Sequence, residues 1–381
     1  MKILILGAGM MGRAVAFDLA VFSKFDKICI SDRDEKILDS AKKFLKDKNV
    51  EYETLDVSDG KKVREKFEEY DIVVSAIPYH FNYELTKTAI ETKTHFIDLG
   101  GNNTVVEKQL ELSDLAEKDN VTIIPDCGLA PGLVSIIARD VVDTLDEVDF
   151  VKLRVGGLPL KPVPPFNYQI VFSPNGLINE YLEDALILEN KKIVAKDSMT
   201  ELEDISFPYP FSKMEAFLTS GGCSTLPYTF RYIIKYLDYK TIRYPGHCQM
   251  IKPMLDLGLG SEEPITVMNK KIIPRKVLIK LLTENIPSKG QDVVLLKTMS
   301  QGLRDGKKVK IDYQLIDYYD EENNITSMMR TTAYPVAIIA EMIRSDNIKK
   351  RGVCTCENIV PPEPFFKELE KRNIKIKKKI V

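Results

Sequence analysis

A strand, a glycine-rich turn and a helix open the chain, and this unit constrains the fold more than any other part of the sequence. Residues Lys2 to Leu6 are apolar, residues 7–12 read Gly-Ala-Gly-Met-Met-Gly, and an amphipathic pattern follows to about Phe22. The first glycine permits a tight turn, the second lets backbone approach a pyrophosphate, and the third lets the helix pack closely on the strand. The pattern predicts a dinucleotide-binding unit whose helix N-terminus holds the anion. Its candidate phosphate-binding residues are Gly7, Gly9, Met10, Met11 and Gly12.

An acidic residue stands where such units bind the adenosine ribose. The second predicted strand, Lys27 to Ser31, ends at Asp32, which lies 20 residues beyond Gly12. A carboxylate there accepts hydrogen bonds from ribose hydroxyls and repels a 2′-phosphate, so we expect NAD rather than NADP. Arg33 keeps NADP open, because its guanidinium could cover a 2′-phosphate, although it also suits a solvent-facing position at a helix start.

Strand and helix patterns continue to alternate as far as residue 125, which predicts a doubly wound, parallel α/β Rossmann sheet. Ligands of such sheets lie beyond the carboxyl ends of the strands. The residues that follow the third, fourth and fifth strands are therefore candidate cofactor contacts: Asp56, Ser75, Ala76, Ile77, Pro78, Asp98, Leu99, Gly100 and Gly101. Structural alternatives remain, since Asp56 could cap a helix and Pro78 could end a strand. His80 is either a proton-exchanging group or a surface histidine.

The pattern becomes strand-rich after Phe150, which predicts a second, α+β domain with a mixed, largely antiparallel sheet. We expect an NAD(P)-binding domain at 1–128 and a catalytic and dimerisation domain at 129–334, with 335–381 packing back on the first domain. Among the predicted elements are strands at Tyr168–Phe172 and Thr326–Thr331 and helices at Leu226–Leu237, His247–Leu257 and Pro274–Asn285.

Composition excludes several classes of function. The 381 residues carry a formal net charge of -2, so no nucleic-acid partner is indicated. No apolar stretch approaches the roughly 18 residues of a spanning helix, and Met1 leads directly into a strand, so we expect a cytoplasmic protein without a membrane partner. The six cysteines lack Cys-x-x-Cys spacing, so we expect free thiols and no metal site.

The segment Pro125-Asp126-Cys127-Gly128-Leu129-Ala130-Pro131-Gly132 follows the sixth predicted strand. Pro131 and Gly132 suit the first turn of the helix that starts at Leu133, so they have a structural explanation. Asp126 comes at the junction between the two predicted domains, where we expect it to serve as a ligand or base for a substrate amine.

These motifs resemble those of the saccharopine dehydrogenase-like oxidoreductases, and within them the L-lysine 6-dehydrogenases. The similarity extends over nearly the whole chain, and its specific parts are the 125–132 segment and Arg243-Tyr244-Pro245-Gly246-His247. It also rests on the glycine loop with Asp32, Asp98-Leu99-Gly100-Gly101, Thr332-Ala333-Tyr334-Pro335 and Pro361-Pro362-Glu363.

The resemblance implies an NAD- or NADP-dependent enzyme, dimeric through its second domain, that acts on a carbon-nitrogen bond of a small amino-acid substrate. Oxidative deamination of the terminal amine of L-lysine is the leading expectation. Arg243 is the first choice to hold an α-carboxylate, and Asp126 or Glu215 could take an ammonium group. Candidate proton-transfer groups are Tyr168, Tyr244 and His247. Arg243 could instead form a structural salt bridge, and His247 could be a helix cap.

Two other functions stay open at this stage. A saccharopine or carboxynorspermidine reductase or dehydrogenase would join or split a secondary amine, and it would need more cationic groups because such substrates carry several carboxylates. Arg154, Arg231, Arg304 and Arg330 are available for that. A non-catalytic NAD-sensing protein would need only the first domain.

Overall fold

The protein is described by a computed structural model that covers residues 1–381. Its chain divides into two compact units. The first comprises Met1–Asp143, Ser224–Leu226 and Met329–Lys375, and the second comprises Thr144–Cys223, Pro227–Met328 and Ile376–Val381. None of the helices combines the length and the apolar character that crossing a bilayer requires. The predicted domain limits at 128 and 334 stay a prediction.

The first unit is built on a parallel seven-stranded sheet, as predicted. Its strands are β1 (Lys2–Leu6), β2 (Lys27–Asp32), β3 (Glu51–Thr54), β4 (Ile72–Ser75), β5 (His95–Asp98), β6 (Thr122–Ile124) and β17 (Gly352–Val353). The order is β17-β6-β5-β4-β1-β2-β3, so β1 lies between β4 and β2 and the strand order reverses there. All residues of β4 and the last four of β1 are buried, as expected for strands covered on both faces. Only the short β17 was missed.

Helices connect these strands. They are α1 (Met10–Phe22), α2 (Glu35–Leu45), α3 (Gly60–Phe67), α4 (Asn82–Glu91), α5 (Asn103–Leu110), α6 (Ser113–Lys118), α7 (Leu133–Thr144), α12 (Ser327–Arg344), α13 (Cys356–Ile359) and α14 (Pro362–Lys371). The C-terminal part of this unit is anchored to α1 by Arg372, whose Nε donates to the carboxylate of Asp18, and both side chains are fully buried. The first unit therefore closes with residues from both ends of the chain.

The second unit has a nine-stranded mixed sheet, again as predicted. Its strands are β7 (Glu147–Pro159), β8 (Ala185–Glu189), β9 (Lys192–Lys196), β10 (Glu203–Ile205), β11 (Met214–Leu218), β12 (Ile234–Arg243), β15 (Asp292–Arg304), β16 (Lys307–Tyr318) and β18 (Lys377–Ile380). Only β7 and β12 pair in parallel. A separate hairpin joins β13 (Ile265–Val267) to β14 (Lys270–Ile272). The helices are α8 (Pro174–Leu182), α9 (Leu226–Phe230), α10 (His247–Asp256) and α11 (Pro274–Asn285).

Four expectations for the second unit were wrong. Tyr168–Phe172 is not a strand: prolines precede it and a helix starts at Pro174, so no room remains for a ladder. The predicted helix Leu226–Leu237 stops at Phe230, and β12 begins at Ile234, where the chain pairs with β7. Residues 376–381, expected on the first domain, include β18, which pairs with β16.

Thr326–Thr331, predicted as a strand, contains the start of α12 instead. The buried carboxylate of Asp292 accepts hydrogen bonds from the amides of Ser327 (2.7 Å) and Met328 (2.9 Å). This contact satisfies two amide groups that a helix start leaves without a partner. A distant residue therefore decides the local structure here.

Replacing Asp292 with alanine should lower the free energy of unfolding by about 1–2 kcal/mol, the usual value of a lost helix cap. Urea titration followed by circular dichroism measures this, with Asp204→Ala on the exposed side of β10 as the control. An unfolding midpoint equal to that of the parent would show that Asp292 does not stabilise α12.

Candidate active site

A pocket of about 250 Å³ lies in the first unit, at the carboxyl ends of the strands where their order reverses. Its lining residues are Gly7, Ser31, Asp32, Arg33, Leu55, Asp56, Val57, Ile77, Pro78, His80 and Phe81. Several of these follow β1, β2, β3 and β4, which is the position that the parallel sheet predicted for a bound dinucleotide.

The glycine loop has the shape that a dinucleotide needs. Gly7 has φ +93°, and an added Cβ would lie 2.8 Å from the Ala76 carbonyl oxygen. At Gly12 an added Cβ would lie 1.7 Å from the Gly7 carbonyl oxygen, so α1 can approach β1 only because this residue is glycine. Gly9 faces open space, and no side chain caps the start of α1. The loop therefore leaves free amide groups beside a space that suits a pyrophosphate.

Two carboxylates lie at the ribose end of the pocket. Asp32 accepts hydrogen bonds from the amides of Ala8 (2.9 Å) and Asp34 (3.0 Å), which fix its carboxylate beside the glycine loop. Asp56 accepts from the amide and the hydroxyl of Ser58, and these bonds hold its pKa below the usual value. The cap of α3 is Asp59 rather than Asp56. Both carboxylates line the part of the pocket where the sequence predicts the adenosine ribose.

The other predicted cofactor residues lie outside this pocket. Ser75 is buried and its hydroxyl donates to Asn82 Oδ1 at 2.8 Å. Asp98 is fully buried and accepts from the Gly100 amide (2.7 Å) and Gln109 Nε2 (2.8 Å), so it shapes the loop after β5. Met10 and Met11 form the start of α1, Ala76 follows β4, and Leu99 and Gly101 flank Gly100. Their cofactor contacts stay predictions.

Asp126 has an unusual environment in the first unit. It is 6% exposed and has φ +61°. Its Oδ2 accepts a hydrogen bond from the Ser224 hydroxyl, whereas the buried Oδ1 has no hydrogen-bond partner. Oδ1 fills the space that a side chain at position 100 would need, because a Cβ added to Gly100 would lie 1.6 Å from this oxygen. Burial raises the pKa of Asp126 to about 7, with a smaller contribution from the nearby charge of Asp98.

Arg243 is the centre of a buried aromatic cluster in the second unit. It is 2% exposed, its Nε donates to the Tyr181 hydroxyl at 2.8 Å, and one terminal nitrogen donates to the Ile242 carbonyl at 2.9 Å. Its guanidinium lies over the ring of Tyr168, 5.0 Å from the centroid. No carboxylate forms an ion pair with it, so the expected alternative of a structural salt bridge is absent.

His247 is linked to Arg243 through the hydroxyl of Tyr181. Its Nδ1 lies 2.9 Å from the Phe166 carbonyl, which can only accept, so Nδ1 carries the proton and Nε2 accepts from the Tyr181 hydroxyl at 3.0 Å. Burial and, to a smaller extent, the charge of Arg243 lower the pKa of His247 to about 3. The imidazole is therefore neutral at physiological pH, and the chain of hydrogen bonds fixes the plane of Arg243.

Two further catalytic candidates make contacts that favour structural roles. Glu215 accepts from the amides of Gly246 and Cys248, both at 2.7 Å, and so caps the start of α10. The Tyr244 hydroxyl donates to the Pro159 carbonyl at 3.0 Å, and burial raises its pKa to about 12. Catalysis by either residue stays a prediction.

Sequence reasoning missed residues that the structure brings next to the predicted ones. Tyr181 and Glu180 of α8 lie beside Arg243. No motif marks them, because their importance depends on contacts between segments far apart in sequence. Val57 could have been found, since it follows β3 directly after Asp56.

The sequence matches two family descriptions. Residues 3–124 match "Saccharopine dehydrogenase NADP binding domain" and residues 128–374 match "Saccharopine dehydrogenase C-terminal domain". The saccharopine dehydrogenase (NADP+, L-glutamate-forming) of Pyricularia oryzae is 28% identical over 308 residues, which are 77% of this chain and 65% of that protein. This chain thus spans slightly less than two thirds of that relative. The carboxyaminopropylagmatine dehydrogenase of Synechocystis is 21% identical over 97% of this chain and 95% of that one.

Solved structures support the fold. The apo saccharopine dehydrogenase (L-Glu forming) from Saccharomyces cerevisiae superposes with a TM-score of 0.82 at 22% identity, over 100% of this chain and 99% of that chain. Because the family descriptions together cover most of the sequence, both units have counterparts in one family. The chain therefore belongs to the saccharopine dehydrogenase family of nicotinamide-dependent oxidoreductases.

Proposed function

We propose that this protein is an NAD-dependent dehydrogenase that oxidises the terminal amine of a basic amino acid such as L-lysine. The observation that carries this proposal is Arg243 of the second unit, a buried guanidinium that forms no ion pair. Buried charges without partners are costly and are retained where a ligand supplies the partner. A guanidinium suits a carboxylate, so Arg243 suits the carboxylate of an amino acid.

Bound NAD would supply the hydride acceptor. Asp126, whose pKa lies near neutrality, suits a base that takes the proton of the substrate ammonium, because only the neutral amine can release hydride from its carbon. Arg243 would hold the carboxylate and fix the position of the carbon chain. His247 and Tyr181 then act by orienting Arg243 rather than by transferring protons.

A second candidate is oxidation or reduction of a secondary amine, and the activities named for the relatives favour it. Substrates such as saccharopine carry several carboxylates and need several free cations. Arg154 already has ion-pair partners, since its guanidinium donates to both oxygens of Asp238 at 2.8–2.9 Å and also contacts Glu203. Arg231 and Arg304 are exposed. Arg243 is thus left as the buried arginine of the second unit without an ion pair, which supports a substrate with one carboxylate there.

The deciding experiment measures cofactor reduction by absorbance with L-lysine, L-ornithine, saccharopine and carboxynorspermidine, each with NAD and NADP and in both directions. We expect turnover of NAD with L-lysine. Turnover with saccharopine alone would select the second candidate. Binding of NAD without turnover on any amine would reject both and favour a sensing protein.

Asp32 should set the choice of cofactor. Asp32→Ser is expected to lower the preference for NAD over NADP by roughly 10- to 100-fold, because it removes one charge that repels a 2′-phosphate and an acceptor for the ribose hydroxyls. The ratio of kcat/KM for the two cofactors measures this, with Asp39→Ser on the exposed face of α2 as the matched control. An unchanged ratio would favour NADP, which the family description names, as the cofactor of this protein.

We also propose that two copies of the chain associate as a homodimer through the second domain. Analytical ultracentrifugation tests this, and a species of 43.3 kDa at all concentrations would contradict it.

A further inference from the structure

Glu180 is a charged residue of the second unit that has no assigned role. It lies near the end of α8 and is half-buried. Its carboxylate forms neither a hydrogen bond nor an ion pair, although Arg243, Tyr168 and Tyr181 are close enough to interact with it electrostatically. Its backbone carbonyl accepts from the Ser220 amide at 3.0 Å, which ties this end of α8 to the segment after β11.

Glu180 and Arg243 are close enough to interact electrostatically and yet form no ion pair. Arg243 cannot swing toward Glu180, because Tyr181 and the Ile242 carbonyl hold two of its nitrogens and Tyr168 covers one face. Two such groups normally close into an ion pair, since each then recovers part of its desolvation penalty. Because no ion pair closes between them, the two side chains suit a ligand that carries both charges in complementary order.

We propose that Arg243 and Glu180 form a binding site for the head group of an α-amino acid, with the α-carboxylate on Arg243 and the α-ammonium on Glu180. Carboxylate and ammonium are attached to the same carbon in such a ligand, so one small group satisfies both side chains. This inference rests on the proposed function and narrows it. The substrate must keep a free α-amino group, and the amine that is oxidised is a different one.

The site has consequences for selectivity. A diamine lacks the carboxylate and leaves Arg243 unpaired, and an ω-amino acid lacks the α-ammonium and leaves Glu180 unpaired. Leaving a buried charged group without its partner weakens binding more than the loss of a neutral contact. The site therefore selects α-amino acids against both classes.

The test compares L-norleucine with hexanoate, which differ only in the α-ammonium group and lack a terminal amine, so neither can undergo the proposed reaction. Calorimetric titration of the full chain, with and without NADH, gives the dissociation constant of each ligand. We expect L-norleucine to bind roughly 10- to 100-fold more tightly than hexanoate, which is the range for a hydrogen bond between charged groups. In Glu180→Gln this ratio should fall to about one while the affinity for hexanoate stays unchanged.

Two further variants separate the site from a general effect on the fold. Glu183→Gln removes an exposed carboxylate next to the same helix and should keep the parent ratio. Glu180→Asp keeps the charge and should restore part of the ratio. Equal weakening of both ligands in Glu180→Gln, or a ratio that this substitution does not change, would overturn the site.

The outcome is independent of turnover. Loss of the norleucine preference in Glu180→Gln, together with no oxidation of any amine, would support the head-group site and reject the proposed dehydrogenase. Oxidation of L-lysine combined with an unchanged ratio in Glu180→Gln would support the dehydrogenase and reject the site.

Discussion

Arg243→Met is expected to lower kcat/KM for L-lysine by about 10²–10³-fold while leaving the protein as stable as the parent or more stable. The loss combines a charge-assisted contact worth about 1.5–3 kcal/mol with poorer placement of the carbon chain. Stability should not fall, because the arginine forms no ion pair and a methionine removes an unpaired buried charge. A structural arginine would give the opposite pattern.

Steady-state kinetics and thermal unfolding on the same preparations check both halves of this prediction. Arg243→Lys should recover little activity, since an ammonium cannot bind a carboxylate through two parallel hydrogen bonds. Arg139→Met, which breaks a half-exposed ion pair with Asp143 on α7, serves as the control and should keep parent kinetics. Lower stability of Arg243→Met at unchanged kcat/KM would assign Arg243 to the fold instead of the substrate.

The sequence predicted most of the first unit because its signals are local. The glycine spacing, the apolar strands and the position of Asp32 are patterns within a few tens of residues. Each of them predicted a feature that the parallel sheet contains. The position of Asp126 after β6 was predictable for the same reason. Its raised pKa was not, because that depends on burial of the carboxylate in the folded chain.

In the second unit, the properties of the candidate residues depend on packing that local sequence patterns do not reveal. Arg243 was found through a resemblance, but its lack of an ion pair is a property of the packed structure. His247 follows the same motif and was a candidate proton-transfer group, yet burial and the charge of Arg243 keep it neutral. Glu180 has no motif at all, and only the packing of α8 beside β12 makes it a candidate.

Asp126→Asn should lower kcat for L-lysine by about 10²–10⁴-fold, the usual contribution of a positioned base. The substitution keeps the size of the side chain, and asparagine tolerates the left-handed backbone at this position better than most residues. It should therefore remove the base without disturbing the loop. Asp114→Asn, on the exposed start of α6, is the matched control and should keep parent activity.

The pH dependence gives this prediction its sharpest form. Burial raises the pKa of Asp126 to about 7, and a base works only when it is ionised, so kcat/KM of the parent should rise as pH increases through about 7. Ser224 donates to the ionised carboxylate and lowers its pKa, so Ser224→Ala should move this rise to higher pH. Asp126→Asn should lack the rise altogether. If the rise persists in Asp126→Asn, another group is the base, and Asp126 acts only by charge.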